Sequence, residues 1–261
     1  PDDNPGRYDA VNIYGDEYYP LADVTNSDAH LISDPGIGTF YRTGYKETEL
    51  VDYDTRNIKA NAALHFRTSP EQGVESPELI LSSSFGSGTT VYQGDNRFSL
   101  KDILFFQNRI EFRKRDKYFI RAYATNENAG SSYDPYFTAL RLQEQTKSPT
   151  DWATDYRRFW KGVANYPKEM RELGYPVPVY DPVTNTVNFD VAGAEQWLVD
   201  YNDSLTIWHS MAEAYANTKN IHIEEGISDF LTPGTEEFNA AFKDITSRYN
   251  NDEGGTRFYD K

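Results

Sequence analysis

The sequence predicts an all-β transmembrane barrel segment, an antiparallel meander carrying a large, partly α-helical extracellular loop region. Three observations predict it. Between residues 57 and 125 the chain alternates apolar and polar positions in strands of about 11–13 residues, against about 5–6 in soluble sheets. Short turns join these strands at one end and longer connections at the other, as in membrane barrels. Phe, Trp and Tyr make up 15% of the chain, and 20 residues are Tyr. A membrane barrel places such rings at both water–lipid interfaces.

The elements follow in order. Residues 1–50 read as turns and short extended pieces. In 57–67, Ile58, Ala60, Ala62, Leu64 and Phe66 fall on one face, and Asn57, Lys59, Asn61, His65 and Arg67 on the other. A Pro- and Gly-containing turn at 69–77 leads to a strand at 78–85, with Leu79, Leu81 and Phe85 on one face. A longer loop is expected at 87–96. From 101 to 113, Leu104, Phe106, Ile110 and Phe112 oppose Gln107, Arg109, Glu111 and Arg113. A four-residue turn at 114–117 starts the strand at 118–125, which makes this pair a hairpin. A second long loop is expected at 126–134, and a last strand at 136–143. Five or six strands cannot close a transmembrane barrel, which needs at least about eight. Open edges cannot stand in lipid, so the chain is expected to be part of a larger structure.

Beyond residue 146 the period becomes helical. Trp152, Tyr156, Phe159 and Trp160 share a stripe, with Ser148 placed to cap and Pro149 near the first turn. Residues 193–217 read as one longer helix, with Trp197, Tyr201, Leu205, Trp208, Ala212 and Tyr215 aligned. A third helix runs over 235–249, opened by Thr235 as part of a capping box. Extended residues 176–182 and 187–190 form a small hairpin. The aromatic stripes are read as packing inside the loop region rather than as sugar platforms.

Composition excludes several classes. The absence of cysteine removes disulfides, thiolate metal sites and thiol nucleophiles. A net charge of −15 and a pI near 4.7 oppose nucleic acid. Mean hydropathy is −0.74, and no run of about 18 apolar residues marks a membrane helix. No leader segment is present, so the chain reads as processed or as a fragment. The four histidines lie far apart, and no metal or phosphate motif occurs. The run His222-Ile223-Glu224-Glu225 reads as a solvated edge. Asp181 and Asp190, flanking the small hairpin, are a weak candidate for a hard cation. Residues 84–88 lack the Gly-x-Ser-x-Gly spacing of a nucleophile elbow. No catalytic residue, cofactor or metal is expected.

Several runs carry a resemblance. RTGYKETELVDY at 42–53, GTTVYQGDNRFSLK at 88–101, FIRAYATNENAGSSYD at 119–134, WATDYRRFW at 152–160 and VNIYGDE at 11–17 stand in one order. Together they resemble the Bacteroidetes TonB-dependent outer-membrane receptors, over about half the chain. The resemblance implies a barrel of about 22 strands whose lumen is filled by a plug. It implies import of a nutrient energised through the TonB complex, and a surface lipoprotein lid as a partner. On this reading 1–50 is the post-plug connection, 51–145 holds barrel strands, and 146–261 is a mostly helical extracellular loop region. The family's N-terminal domain, TonB box and plug have no counterpart here, so no TonB-contacting residue carries over. Arg109, Glu111, Arg113 and Arg121 are expected to face the lumen. Ile58, Leu64, Phe66, Leu104, Phe106, Ile110 and Phe112 are expected to face outer-membrane lipid, with Tyr118 at the periplasmic interface. Two alternatives stand beside this. One is a soluble or surface-exposed carbohydrate-binding or interaction module, because a soluble sandwich alternates in the same way. The other is a barrel with a scaffold role in an outer-membrane assembly.

Overall fold

The computed structural model describes residues 12–16, 29–93, 97–218 and 230–258. They divide into two compact units interleaved along the chain. The helical unit comprises Pro1–Lys46 and Ala139–Phe238, and the sheet unit Glu47–Thr138 and Asn239–Lys261.

The elements of the sheet unit open with a short helix, and four long strands follow. These are β3 (Arg56–Arg67), β4 (Glu78–Gln93), β5 (Arg97–Lys114) and β6 (Tyr118–Asn128), with β1 (Ile13–Tyr14) and β2 (Tyr45–Lys46) before them in the helical unit. The four pair antiparallel in the order β3-β4-β5-β6. Alternation dictates which side chains share a face, and the register carries one apolar face across all four strands. Phe66 lies opposite Leu79, Leu79 opposite Phe112, and Phe112 opposite Ile120. One row on, Leu64, Leu81, Ile110 and Ala122 align. Phe85 and Phe106 pair across β4 and β5 with ring centroids 4.9 Å apart. The β5–β6 turn is tight: Lys117 donates its N–H to the Lys114 carbonyl at 3.1 Å, and Asp116 takes a φ of 53°. Asp tolerates this left-handed conformation better than most residues.

At its other end the sheet reaches a small core. Ser99 and Tyr133 exchange backbone hydrogen bonds, and the Tyr133 hydroxyl donates to the Leu50 carbonyl at 2.6 Å. Tyr133 meets Phe242 edge-on, and Ile245 is fully buried.

The helical unit is built differently. Its elements are α1 (Ala29–Ser33), most of α3 (Pro135–Thr146), α4 (Pro149–Arg158), a π turn at Phe159–Val163, α5 (Tyr166–Glu172), α6 (Val191–Asp200) and α7 (Asn202–Thr218). A hairpin of β7 (Val179–Asp181) and β8 (Thr186–Asn188) stands between α5 and α6. The helix Glu47–Leu50 (α2) opens the sheet unit, and α8 (Glu236–Ser247) follows α7 in the chain. Ser148 caps α4, its hydroxyl accepting from the Asp151 N–H at 3.1 Å. Residues Leu205, Trp208, Ala212 and Ala216, three to four apart, bury one face of α7. They join Trp152, Tyr156, Trp160, Tyr166, Met170 and Trp197 in one hydrophobic cluster. Every member of that cluster lies in the helical unit.

Several expectations are corrected. The chain is a mixed α/β protein, not an all-β barrel segment. Among the described residues helix takes 40% and strand 32%, and none of the small sheets closes on itself. The cause is the share of the chain with helical period, together with a strand count too small for closure. The strand expected at 136–143 is helix α3. Pro135 supplies a preset φ at the first turn, the Asp134 carboxylate accepts from the Phe137 N–H, and buried residues recur at 135, 138, 139, 142 and 143. The loop expected at 87–96 is largely strand, because β4 continues to Gln93. Gly88 permits this, since a Cβ there would collide with the Asn57 side chain on β3. The single helix expected over 193–217 is two, broken at Tyr201, whose φ and ψ of −105° and 20° leave the helical range. Thr235 accepts from the Phe238 N–H at 3.2 Å, but Phe238 stands where a capping box needs a carboxylate, so half the box forms. No helix among the described residues is long and apolar enough to cross a membrane.

Candidate functional site

The sheet has two unlike faces, and both bear on function. The apolar face is uncovered. Ile58, Leu64, Phe66 and Ile110 are 48–60% exposed, and Ile120 is 72% exposed. Leu104 and Phe106 sit near 40%, and Phe112 is half-buried beside Tyr118, with ring centroids 6.1 Å apart. Isolated exposed apolar side chains are ordinary, but a contiguous face of this kind marks an interaction surface. The outward edges of β3 and β6 pair with no strand among the described residues.

The opposite face carries charge. Sequence alternation placed Arg109, Glu111, Arg113 and Arg121 together, and the structure brings them into one network. Glu111 on β5 is 3% exposed, closed in by the long cations around it. It accepts from Arg121 Nε on β6 at 2.7 Å, with Arg109 and Arg113 guanidinium nitrogens each at 3.8 Å. The hydrogen bond from Arg121 holds the Glu111 carboxyl below its ordinary pKa, and the charges of Arg109 and Arg113 add to this. Arg109 also donates to Ser82 Oγ on β4 at 3.2 Å. Such a site is a fixed arrangement of positive groups around one carboxylate. It holds no nucleophile–base pair.

The sequence did not reveal two further members. Glu78 accepts from Arg113 Nε and Nη2 at 3.0 and 2.8 Å, and His65 Nδ1 lies 3.0 Å from its other oxygen. The hydrogen bond from His65 comes first and those from Arg113 second in lowering the Glu78 pKa. The signal was register. Arg67 and Arg113 both pair with Glu78, a pairing visible only once the three strands are aligned.

The other candidates fall away. Asp181 is consumed by its own turn, accepting from the Val183 N–H and the Thr184 hydroxyl, each at 2.8 Å. Asp190 caps α6 by accepting from the Gly193 N–H at 2.9 Å. No cluster of three metal-ligating side chains occurs among the described residues. The run at 222–225 lies outside them. Trp152, Tyr156, Trp160 and Trp208 are buried, so these rings form core and not a sugar platform.

A second polar network lies inside the helical unit. Lys147 Nζ donates to Asp155 Oδ2 and to the Ala216 carbonyl, both at 2.6 Å, with both side chains sealed from solvent. His209 sits between Tyr156, whose hydroxyl is 2.5 Å from Nδ1, and the Gly36 carbonyl, 3.1 Å from Nε2. Donation to a carbonyl fixes the proton on Nε2 and leaves Nδ1 as acceptor. Burial lowers the His209 pKa to about 4, against the raising effect of the Gly36 carbonyl. This network joins α4, α7 and the loop after α1.

No protein-family profile, no curated protein and no solved structure matches the chain. Fold and site define a two-unit α/β protein with an uncovered amphipathic sheet.

Proposed function

We propose that this chain is one part of a TonB-dependent outer-membrane transporter that imports a nutrient, and that it is not an enzyme. One observation carries the reading: a four-stranded sheet of long strands with an exposed apolar face and two edges that pair with no strand among the described residues. An exposed edge is a template for further strands, and an exposed apolar face needs a nonpolar surrounding. In this reading lipid covers the face bearing Ile110, and strands from the rest of the transporter join β3 and β6. The network around Glu111 faces away from lipid and offers fixed hydrogen-bonding groups to polar partners in the transport path. The energy for transport comes from the TonB complex and acts on parts outside this sequence. The helical unit, with its own core, shapes ligand entry at the cell surface or meets a lipoprotein lid. The order of the five family-like runs supports the assignment.

The chain has no cysteine, so single-cysteine variants give unique spin labels. In isolated outer membranes a label at Ile110→Cys is expected to be accessible to oxygen and shielded from a water-soluble nickel complex. A label at Gln107→Cys, on the opposite face, is expected to show the reverse. Equal accessibility to the nickel complex at both positions would sink the lipid assignment. Loss of energised nutrient uptake on deleting β6, restored by the intact chain, tests the transport assignment. Uptake unaffected by the deletion refutes it.

A further inference from the structure

The charged face of the sheet ends in a cleft of about 740 Å³ beside the β5–β6 turn, a volume typical of small-molecule sites. By register Arg67, Glu78, Arg113 and Phe119 form one row of that face, and Glu111 pairs with Arg121 in the next. Six of the lining residues are cations and three are acids. The acids engage some of the cations and leave definite donors over. Glu78 accepts from Nε and Nη2 of Arg113, and Glu111 accepts from Nε of Arg121 at 2.7 Å. The two terminal nitrogens of Arg121 donate to no described residue, so Glu111 holds this guanidinium by one edge and leaves its fork open. The side chains of Arg67 and Lys117 make no ion pair or hydrogen bond among the described residues. The acidity of the chain does not cancel this surplus locally. The sheet unit holds 15 cations and 17 acids, a net of −2, whereas the helical unit holds 11 and 24, a net of −13. Screening over about 8–10 Å at physiological salt leaves the nearest charges in control of the cleft.

We infer that this cleft binds the carboxylate or phosphate group of the imported nutrient, whose apolar part packs on Phe119 and Val74. This rests on the proposal that the charged face lines the transport path, and it names the class of cargo. Two open guanidinium forks and one ammonium suit a planar or tetrahedral oxyanion, because a fork donates two parallel hydrogen bonds to such a group. Cationic side chains line the paths that proteins build for anions and phosphate. A cationic nutrient would be repelled here, and a neutral one would leave the charges unmatched. The cleft is not wholly polar. Phe119 and Val74 line it at 67% and 63% exposure, and the Arg121 guanidinium lies 5.4 Å from the Phe119 ring centre. An inorganic anion would leave both apolar side chains in water. An organic anion covers them while its charged group meets Arg67, Lys117 and Arg121.

The test is equilibrium dialysis of the full chain in detergent micelles against phenyl phosphate, phenylacetate, benzyl alcohol and inorganic phosphate. Wild type is compared with Arg67→Gln/Lys117→Gln and with Arg121→Lys, which keeps a cation beside Glu111 and removes the fork. A control variant, Arg141→Gln/Lys243→Gln, removes the same charge outside the cleft, and circular dichroism checks the fold of each. At least one of the two organic anions is expected to bind about a hundredfold tighter than benzyl alcohol and about tenfold tighter than inorganic phosphate. The double cleft variant should lose about tenfold per cation, roughly a hundredfold in all, Arg121→Lys about tenfold, and the control little. Organic anions bound no tighter than benzyl alcohol, or bound as well by the cleft variants, overturn the inference. If uptake then still depends on β6, the transport reading stands. Inorganic phosphate bound as tightly as the organic anions assigns the cleft to a free anion and overturns the inference. Cleft-dependent binding of polyglutamate, with none of the small probes, assigns it to an acidic protein segment and overturns it too. Cleft-dependent binding of an organic anion, with uptake that survives deletion of β6, overturns the transport reading and the anion's role as cargo.

Discussion

The buried histidine of the helical unit makes that unit sensitive to mild acid. His209 is neutral in the fold, with its pKa lowered from 6.5 to about 4 because burial disfavours the imidazolium. The unfolded chain takes up the proton near pH 6.5 and the folded one does not, so stability is full above pH 6.5 and falls as pH falls toward 4. Between pH 7.5 and pH 5 the loss comes to about 2 kcal/mol, and it approaches about 3 kcal/mol below pH 4. Asp34 does not contribute in this window. Burial would raise its pKa, but hydrogen bonds from Lys161 and Arg157 outweigh that and set it at about 2. The assay isolates the unit, because all four Trp residues, Trp152, Trp160, Trp197 and Trp208, lie within it. Urea unfolding followed by Trp fluorescence should show a midpoint about 1 M lower at pH 5 than at pH 7.5, for an m-value of about 2 kcal/mol/M. His209→Gln cannot titrate. It should be less stable at pH 7.5, by about 1–3 kcal/mol for the disrupted hydrogen bonds to Tyr156 and Gly36, and its midpoint should be flat over the same pH range. A wild-type midpoint that does not move, or a variant that moves equally, refutes the assignment.

Two further outcomes are expected. Lys147→Met strands the Asp155 carboxylate in the core and should cost about 3–5 kcal/mol by the same Trp-monitored unfolding, whereas Lys147→Met/Asp155→Leu should recover most of it. A double variant as unstable as the single one would show that the pair is not the cause. Glu111→Gln removes the charge that three arginines surround and should loosen β5 and β6, with faster amide hydrogen exchange over 107–123 and no change over α7. Unchanged exchange in the sheet would show that the arginines are held by other means.

Much of the sheet was legible because alternation is a local property. The faces of 57–67, 101–113 and 118–125, and the turn at 114–117, follow from period two and a short polar break. The strand expected at 136–143 is a helix because Asp134-Pro135 is a helix start and burial selects residues three and four apart. The break at Tyr201 left no mark in the aromatic stripe, since the stripe continues in phase on either side of it. At the charged site the alternation gave Arg109, Glu111, Arg113 and Arg121, all on or next to one hairpin. Glu78 and His65 required the pairing of strands further apart in sequence.

The sequence by itself determined which side chains share a face, where the capping residues Ser148 and Thr235 start helices, and that the chain carries strong negative charge. Each depends on neighbours within a few residues. The tertiary structure decided that helix outweighs strand, that four strands form an open sheet, and that the aromatic stripes of 152–160 and 197–215 join one core whose members all lie in the helical unit. It also decided that Arg113 meets Glu78 and that Arg121 meets Glu111. Register, burial and cross-strand charge pairing depend on residues distant in the chain, and their energies exist only once the backbone has brought those residues together.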